Sequence, residues 1–187
     1  MQNILLIIFI ISLNNISIAN VGKETGLEIP RFISLKSDNT NIRIGPSKNY
    51  PIVIKFIQKN YPLKVIDEYD EWRKVKDFKN NTGWVHKSLI SGKRSGLILS
   101  NNNQAIKALN TINGKVIGLI GEGNIVSINK CDIDWCFVSF MSYKGWVNKK
   151  NIWGVKQNEI YKIGFFQSIE YLYWKSINSI TEIIDSL

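Results

Sequence analysis

The chain has 187 residues, with 24 Lys and Arg against 15 Asp and Glu, a formal net charge of +9. Removing an apparent leader leaves 168 residues, room for one medium domain or two small ones. The basic excess attracts polyanions without sequence preference, which in an exported chain means acidic lipid or cell-wall polymer and excludes DNA and RNA as partners.

The leader is residues 1–19. Ile4 to Leu13 is apolar except for Ser12, and Ser17 and Ala19 put small residues where signal peptidase reads. The run is too short to span a bilayer, which takes ~20 residues. The amino-terminal region lacks Lys and Arg, a departure from the usual pattern, so a retained anchor stays open beside cleavage. The expected location is the periplasm or cell envelope.

The first module is expected over 30–94, where the charge concentrates: residues 31–96 hold fourteen Lys and Arg and six Asp and Glu. Arg31 to Lys36 alternates apolar and polar, the period of a half-buried strand. Gly45-Pro46 and Tyr50-Pro51 punctuate a long loop. Strands are expected at 52–57, 63–69, 72–77 and 83–86, with a helical turn at 88–90. Asp70-Glu71 and Lys79 to Gly83 are turn-forming interruptions at hairpin spacing. Five short strands in about sixty residues predict a small closed barrel. The syntax returns about sixty residues later. Trp72 stands eleven residues before Gly83, and Trp135 ten before Gly145.

Asn41 to Pro46, the Tyr50-Pro51 strand, the hairpin from Glu68 to Trp72 and Gly83-Trp84-Val85 together resemble the bacterial SH3-like module. The longer string from Gly83 to Arg94 is similar to an exported SH3 family of alphaproteobacteria. The resemblance covers roughly 30–154 and implies two SH3-like barrels in tandem. It implies no set activity: some such modules bind cell-wall peptides, and others only pack against a catalytic domain.

The second module is expected over 97–154, with Ser95 to Gln104 as the linker. Its first loop is eroded, with Lys107 where Arg43 sits and the Pro gone, which points to the first module as the binding one. Cys131 and Cys136 flank the turn from Asp132 to Trp135. A closely spaced pair in an exported chain favours a disulfide over free thiols, and a zinc site would need two more ligands where only His86 is at hand. The resembling family also has paired cysteines at this hairpin.

From 158 to 187 the pattern changes. Phe166, Ile169, Tyr173, Ile177, Ile180, Ile184 and Leu187 form an apolar stripe at helical spacing. An amphipathic helix is expected, packed on the barrels, self-associating, or docked on a partner. A membrane-surface role is disfavoured because its polar face is not basic.

His86 is the one histidine, and no nucleophile or orienting group is placed beside it by any recognisable motif. The expectation is a non-enzyme without cofactor or metal. Tyr50 and Tyr69 lie near turns beside Arg43, while Trp72 reads as core or as the apolar wall under a turn. Arg43, Tyr50, Tyr69, Trp72 and His86 are therefore the candidate ligand contacts. The fold class expected is mainly β, two tandem SH3-like barrels and a C-terminal helix. The function expected is recognition of a cell-wall peptide or glycan, or of an envelope protein. The alternative is an accessory subunit docking on an envelope enzyme through its helix.

Overall fold

The computed structural model describes residues 20–100 and 103–162. The expected leader and all but the first five residues of the expected C-terminal helix lie outside them. Those five, 158–162, are turn and bridge, not helix.

Two seven-stranded antiparallel sheets make up the fold. The first comprises β1 (Arg31–Leu35), β2 (Thr40–Arg43), β3 (Ile52–Phe56), β4 (Pro62–Tyr69), β5 (Trp72–Lys76), β6 (Thr82–His86) and β7 (Ile90–Ser91). They lie in the order β3-β2-β6-β5-β4-β1-β7. The second comprises β8 (Ser95–Ile98), β9 (Gln104–Lys107), β10 (Val116–Ile120), β11 (Ile125–Cys131), β12 (Trp135–Phe140), β13 (Tyr143–Asn148) and β14 (Ile152–Trp153). Its order, β10-β9-β13-β12-β11-β8-β14, repeats the first. Each sheet encloses its own core. Ile42, Leu63, Val65, Val75 and Val85 fill one, and Ile106, Val126, Ile128, Val138 and Val147 the other.

The register explains why the repeat is visible in the sequence. Val75 faces Val65 on one side and Gly83 on the other, and Val138 likewise faces Ile128 and Gly145. Alternation then turns Trp84 and Trp146 to the outer faces, where each sits opposite a cation, Arg43 or Lys107. After β6 and β13 a short 3-10 turn follows, Lys87–Leu89 and Lys149–Asn151. It falls within one residue of the expected position in the first unit.

Two expectations about connections fail: the expected long loop from Asn41 to Pro51 opens with the last three residues of β2, and the expected linker is strand. Ser95 to Gln104 is not a linker: Ser95–Ile98 is strand β8, all four residues buried, and Gln104 opens β9. Three residues, 92–94, join the two sheets, so the units pack directly. The Ser34 and Ser95 hydroxyls lie 2.6 Å apart, and donate to the carbonyls of Lys93 and Asn60 respectively. Phe32 meets Trp153 edge to face at 5.2 Å between centroids. Cys131 and Cys136 are direct register partners on β11 and β12 and form a buried disulfide. Among the described residues no helix is long and apolar enough to cross a membrane.

Candidate functional site

Four of the five predicted contacts fall on the face of the first sheet turned away from its core, in two neighbouring cross-strand rows, and the fifth, Tyr50, lies in the loop between β2 and β3. Tyr69 pairs with Trp72 and Trp72 with His86, making one row. Arg43, opposite Trp84, belongs to the next. Their environments differ. Tyr69 is 60 % exposed, whereas Trp72 is 8 % exposed with its ring edge to face on His86 at 5.4 Å. Trp72 is therefore wall and not contact. The Arg43 guanidinium donates through Nη1 to the Tyr50 carbonyl at 2.6 Å, which pins the loop between β2 and β3. The Tyr50 ring covers Gly45, where an added Cβ would come within 2.7 Å of ring carbons. His86 Nδ1 accepts from the Ser88 amide at 3.3 Å and lies 2.7 Å from the Ser88 hydroxyl, so it caps the 3-10 turn.

Only His86 of the five also lines a large cleft among the described residues, of about 1030 Å³. Three parts of the chain build it. A strap formed by residues 20–28 closes on itself through a Val21–Glu28 bridge. The first sheet contributes β1 and the stretch from His86 to Gly92. The segment 156–161 comes from beyond the second sheet.

Carboxylates fix both outer parts in place. Glu68, its side chain fully buried, accepts from the amides of Glu24 (3.0 Å) and Thr25 (2.9 Å), the Thr25 hydroxyl (2.7 Å) and Arg31 Nη2 (2.6 Å). Arg73 stands 3.4 Å away. Burial alone would raise the Glu68 carboxyl, but the Thr25 hydroxyl, Arg31 and the two amides outweigh it and hold it at about 2. Gly22 is required here, since a Cβ would run into that carboxylate. On the far side Arg94 grips Glu159 through Nη1 and Nη2 and donates to the Gly154 carbonyl at 2.8 Å. Burial opposes the charge on Glu159, and Arg94 and the Lys156 amide overcome it, leaving the carboxyl below its usual range. The Arg94 guanidinium also lies over the rings of Phe32 (5.7 Å) and Tyr161 (5.1 Å).

The second sheet holds the segment from behind. Tyr161 and Cys131 exchange backbone hydrogen bonds of 2.8 and 3.0 Å. The Lys149 ammonium, 1 % exposed, donates to the carbonyls of Asp132, Gln157 and Glu159. At the rim Lys87 pairs with Glu71, and Lys156 with Glu28, all four side chains well exposed. Lys36 donates to the Ser88 carbonyl at 3.1 Å. The cleft can hold a ligand of several residues between apolar walls and a basic rim. Among the described residues no three His, Cys, Asp or Glu side chains gather as a metal cluster.

Of the residues expected as contacts, His86 lines the cleft; Arg31, Lys36, Arg94, Lys156 and Glu159 line it too and were not among those expected. One signal was available. The stretch from His86 to Arg94 is the second half of the string that carries the SH3 resemblance, and it runs along the cleft.

Three solved structures are similar to part of this chain. NlpC2 from Trichomonas vaginalis is 10 % identical, with 66 % of this chain and 48 % of that one covered and a TM-score of 0.31. For NlpC1 from Trichomonas vaginalis the figures are 11 %, 71 %, 48 % and 0.30. For an NlpC/P60 family protein from Bacillus cereus they are 9 %, 65 %, 55 % and 0.29. The chain spans about half the length of these proteins. No curated protein sequence matches it. Residues 36–92, from the end of β1 through the wall of the cleft, match the family model of the bacterial SH3 domain.

Proposed function

We propose that this chain is an exported, non-catalytic binding module of the cell envelope, and that it holds a cell-wall component in the cleft beside the first sheet. The observation that carries the reading is the construction of that cleft. Its two outer walls, residues 20–28 and 156–161, are each tied down by a carboxylate held on an arginine: Glu68, buried on Arg31, accepts from Glu24 and Thr25 of the first, and the partly buried Glu159 of the second is gripped by Arg94. A pre-formed concavity lowers the ordering cost of binding. The bacterial SH3 match over 36–92 supports the cell-wall assignment, since it includes the stretch His86–Gly92 of the inner wall. The apolar leader and the Cys131–Cys136 disulfide support export. The repeated strand order supports reading the second unit as a second SH3-like module, one that serves as an anchor for the segment 156–161.

The test is retention of the oxidised protein on purified peptidoglycan sacculi at low and at moderate salt. Retention that survives moderate salt is the expected result. Binding that disappears with salt reduces the interaction to charge, and no retention at either salt ends the reading.

A further inference from the structure

The charges around the cleft do not balance. Six cations line it, Arg31, Lys36, Arg73, Lys87, Arg94 and Lys156. Against them stand Glu28, Glu71 and Glu159 in the lining and Glu68 beneath Arg31 and Arg73. Six against four leaves two positive charges. Their location is informative. Arg31 spends Nη2 on Glu68, and its Nη1 is buried without a hydrogen-bond partner among the described residues. Arg94 spends both terminal nitrogens, and its Nε is likewise buried and unpartnered. Arg94 is matched by Glu159, whereas Arg31 and Arg73 share the one carboxylate of Glu68, so one surplus charge lies there, shielded from direct contact, and acts on a ligand through its field. The cation open to contact is Lys36. Among the described residues its ammonium meets a backbone carbonyl and no carboxylate. Lys87 and Lys156 sit in exposed ion pairs, which bind weakly enough to exchange partners.

Apolar surface accompanies the charge. Leu27 and Ile160 line the cleft while 54 % and 41 % exposed, and Phe32, Ile33 and Ile90 lie deeper. Resting on the envelope-binding reading, we infer that the cleft selects a short peptide bearing a free carboxylate next to an apolar side chain, with Lys36 as the contact for the carboxylate. A bare inorganic anion would leave the apolar walls wet, and a neutral apolar ligand would leave the basic field uncompensated. A volume of about 1030 Å³ suits several residues of chain.

The experiment is calorimetric titration of the full oxidised chain with N-acetylated Ala-Ala-Leu carrying a free C-terminal carboxylate, and with the same tripeptide as its amide. Sacculi retention is measured in parallel. The acid should bind at least tenfold more tightly than the amide. Lys36→Gln should remove most of that preference, with the fold intact by its melting temperature. Equal affinity for acid and amide overturns the inference. So does retention on sacculi with neither peptide bound, an outcome that leaves the envelope-binding reading standing. Failure of both peptides and sacculi removes the two together.

Discussion

His86 and Asn148 occupy the same place in the two units and do the same work. Each ends the strand that carries Gly-Trp-Val, each pairs in register with a buried tryptophan, Trp72 or Trp135, and each caps the 3-10 turn that follows. Asn148 accepts the Lys150 amide through Oδ1 at 3.0 Å, and His86 accepts the Ser88 amide through Nδ1. An imidazole nitrogen thus stands in for an amide oxygen. His86→Asn should keep the cap and change stability by less than about 0.5 kcal/mol, whereas His86→Ala should cost about 1 kcal/mol. Thermal denaturation of both variants checks the pair. Sacculi retention by His86→Asn then reports whether the ring has a ligand role apart from its cap.

Gly83 and Gly145 are glycines because two strands cross too closely for anything larger. A Cβ at Gly83 would meet the Ile42 side chain and come within 2.9 Å of the Arg43 carbonyl oxygen. At Gly145 the Lys107 carbonyl oxygen would be 2.7 Å away, with the Ile106 side chain behind. Backbone cannot step aside as a flexible side chain can. Gly83→Ala and Gly145→Ala should each destabilise by about 1–3 kcal/mol. Gly92→Ala is the control, since nothing lies within 4 Å of its Cβ, and its melting temperature should be unchanged.

These glycines show what the sequence can carry. A motif that sets where two strands cross is local, repeats with the module, and imposes residue types by sterics, so the five expected strands of the first unit were legible, whereas β2 was read as part of a loop and β7 was not expected. Ser95–Ile98 was not legible either. The strand lies at the junction of the two units and is buried on both sides, so it lacks the polar alternation that marks a strand with one wet face. The cleft was less legible still. Arg94 and Glu159 are 65 residues apart, and Arg31 and Glu68 are 37 apart. Nothing in the local pattern of either member announces its partner. Trp72 illustrates the opposite error: it lies on the outer face with the other candidates, yet packing against His86 leaves it covered.

The Cys131–Cys136 bridge closes a loop of few residues, and the turn inside it is already held by Asp132 Oδ1, which accepts the amides of Asp134 (3.0 Å) and Trp135 (2.7 Å). The chain-entropy estimate for so short a loop is about 2 kcal/mol. A double Cys131→Ala, Cys136→Ala variant should therefore fold, with its denaturation free energy lower by about that amount. Both sulfurs are buried, so a mild reductant should release no thiol from the native protein and two once denaturant is added. Thiol titration under the two conditions distinguishes these states.

Glu68 makes the strap acid-labile. Its folded-state carboxyl sits at about 2, against 4.5 for the free group. A depressed carboxylate stabilises the fold while ionised, so its contribution is complete above pH 4.5 and is lost as the pH falls from there through 2. The size is on the order of 3 kcal/mol. Glu159, also held below its usual range, adds loss in the same direction. Urea denaturation across pH 6 to 2 should show stability falling steeply below about 4.5. Glu68→Gln leaves Arg31 and Arg73 buried beside a neutral amide, so it should cost roughly 3 kcal/mol at neutral pH and flatten the acid limb. A slope due to Glu159 should remain. If the variant keeps the full wild-type acid slope, the strap is not held by an ionised Glu68.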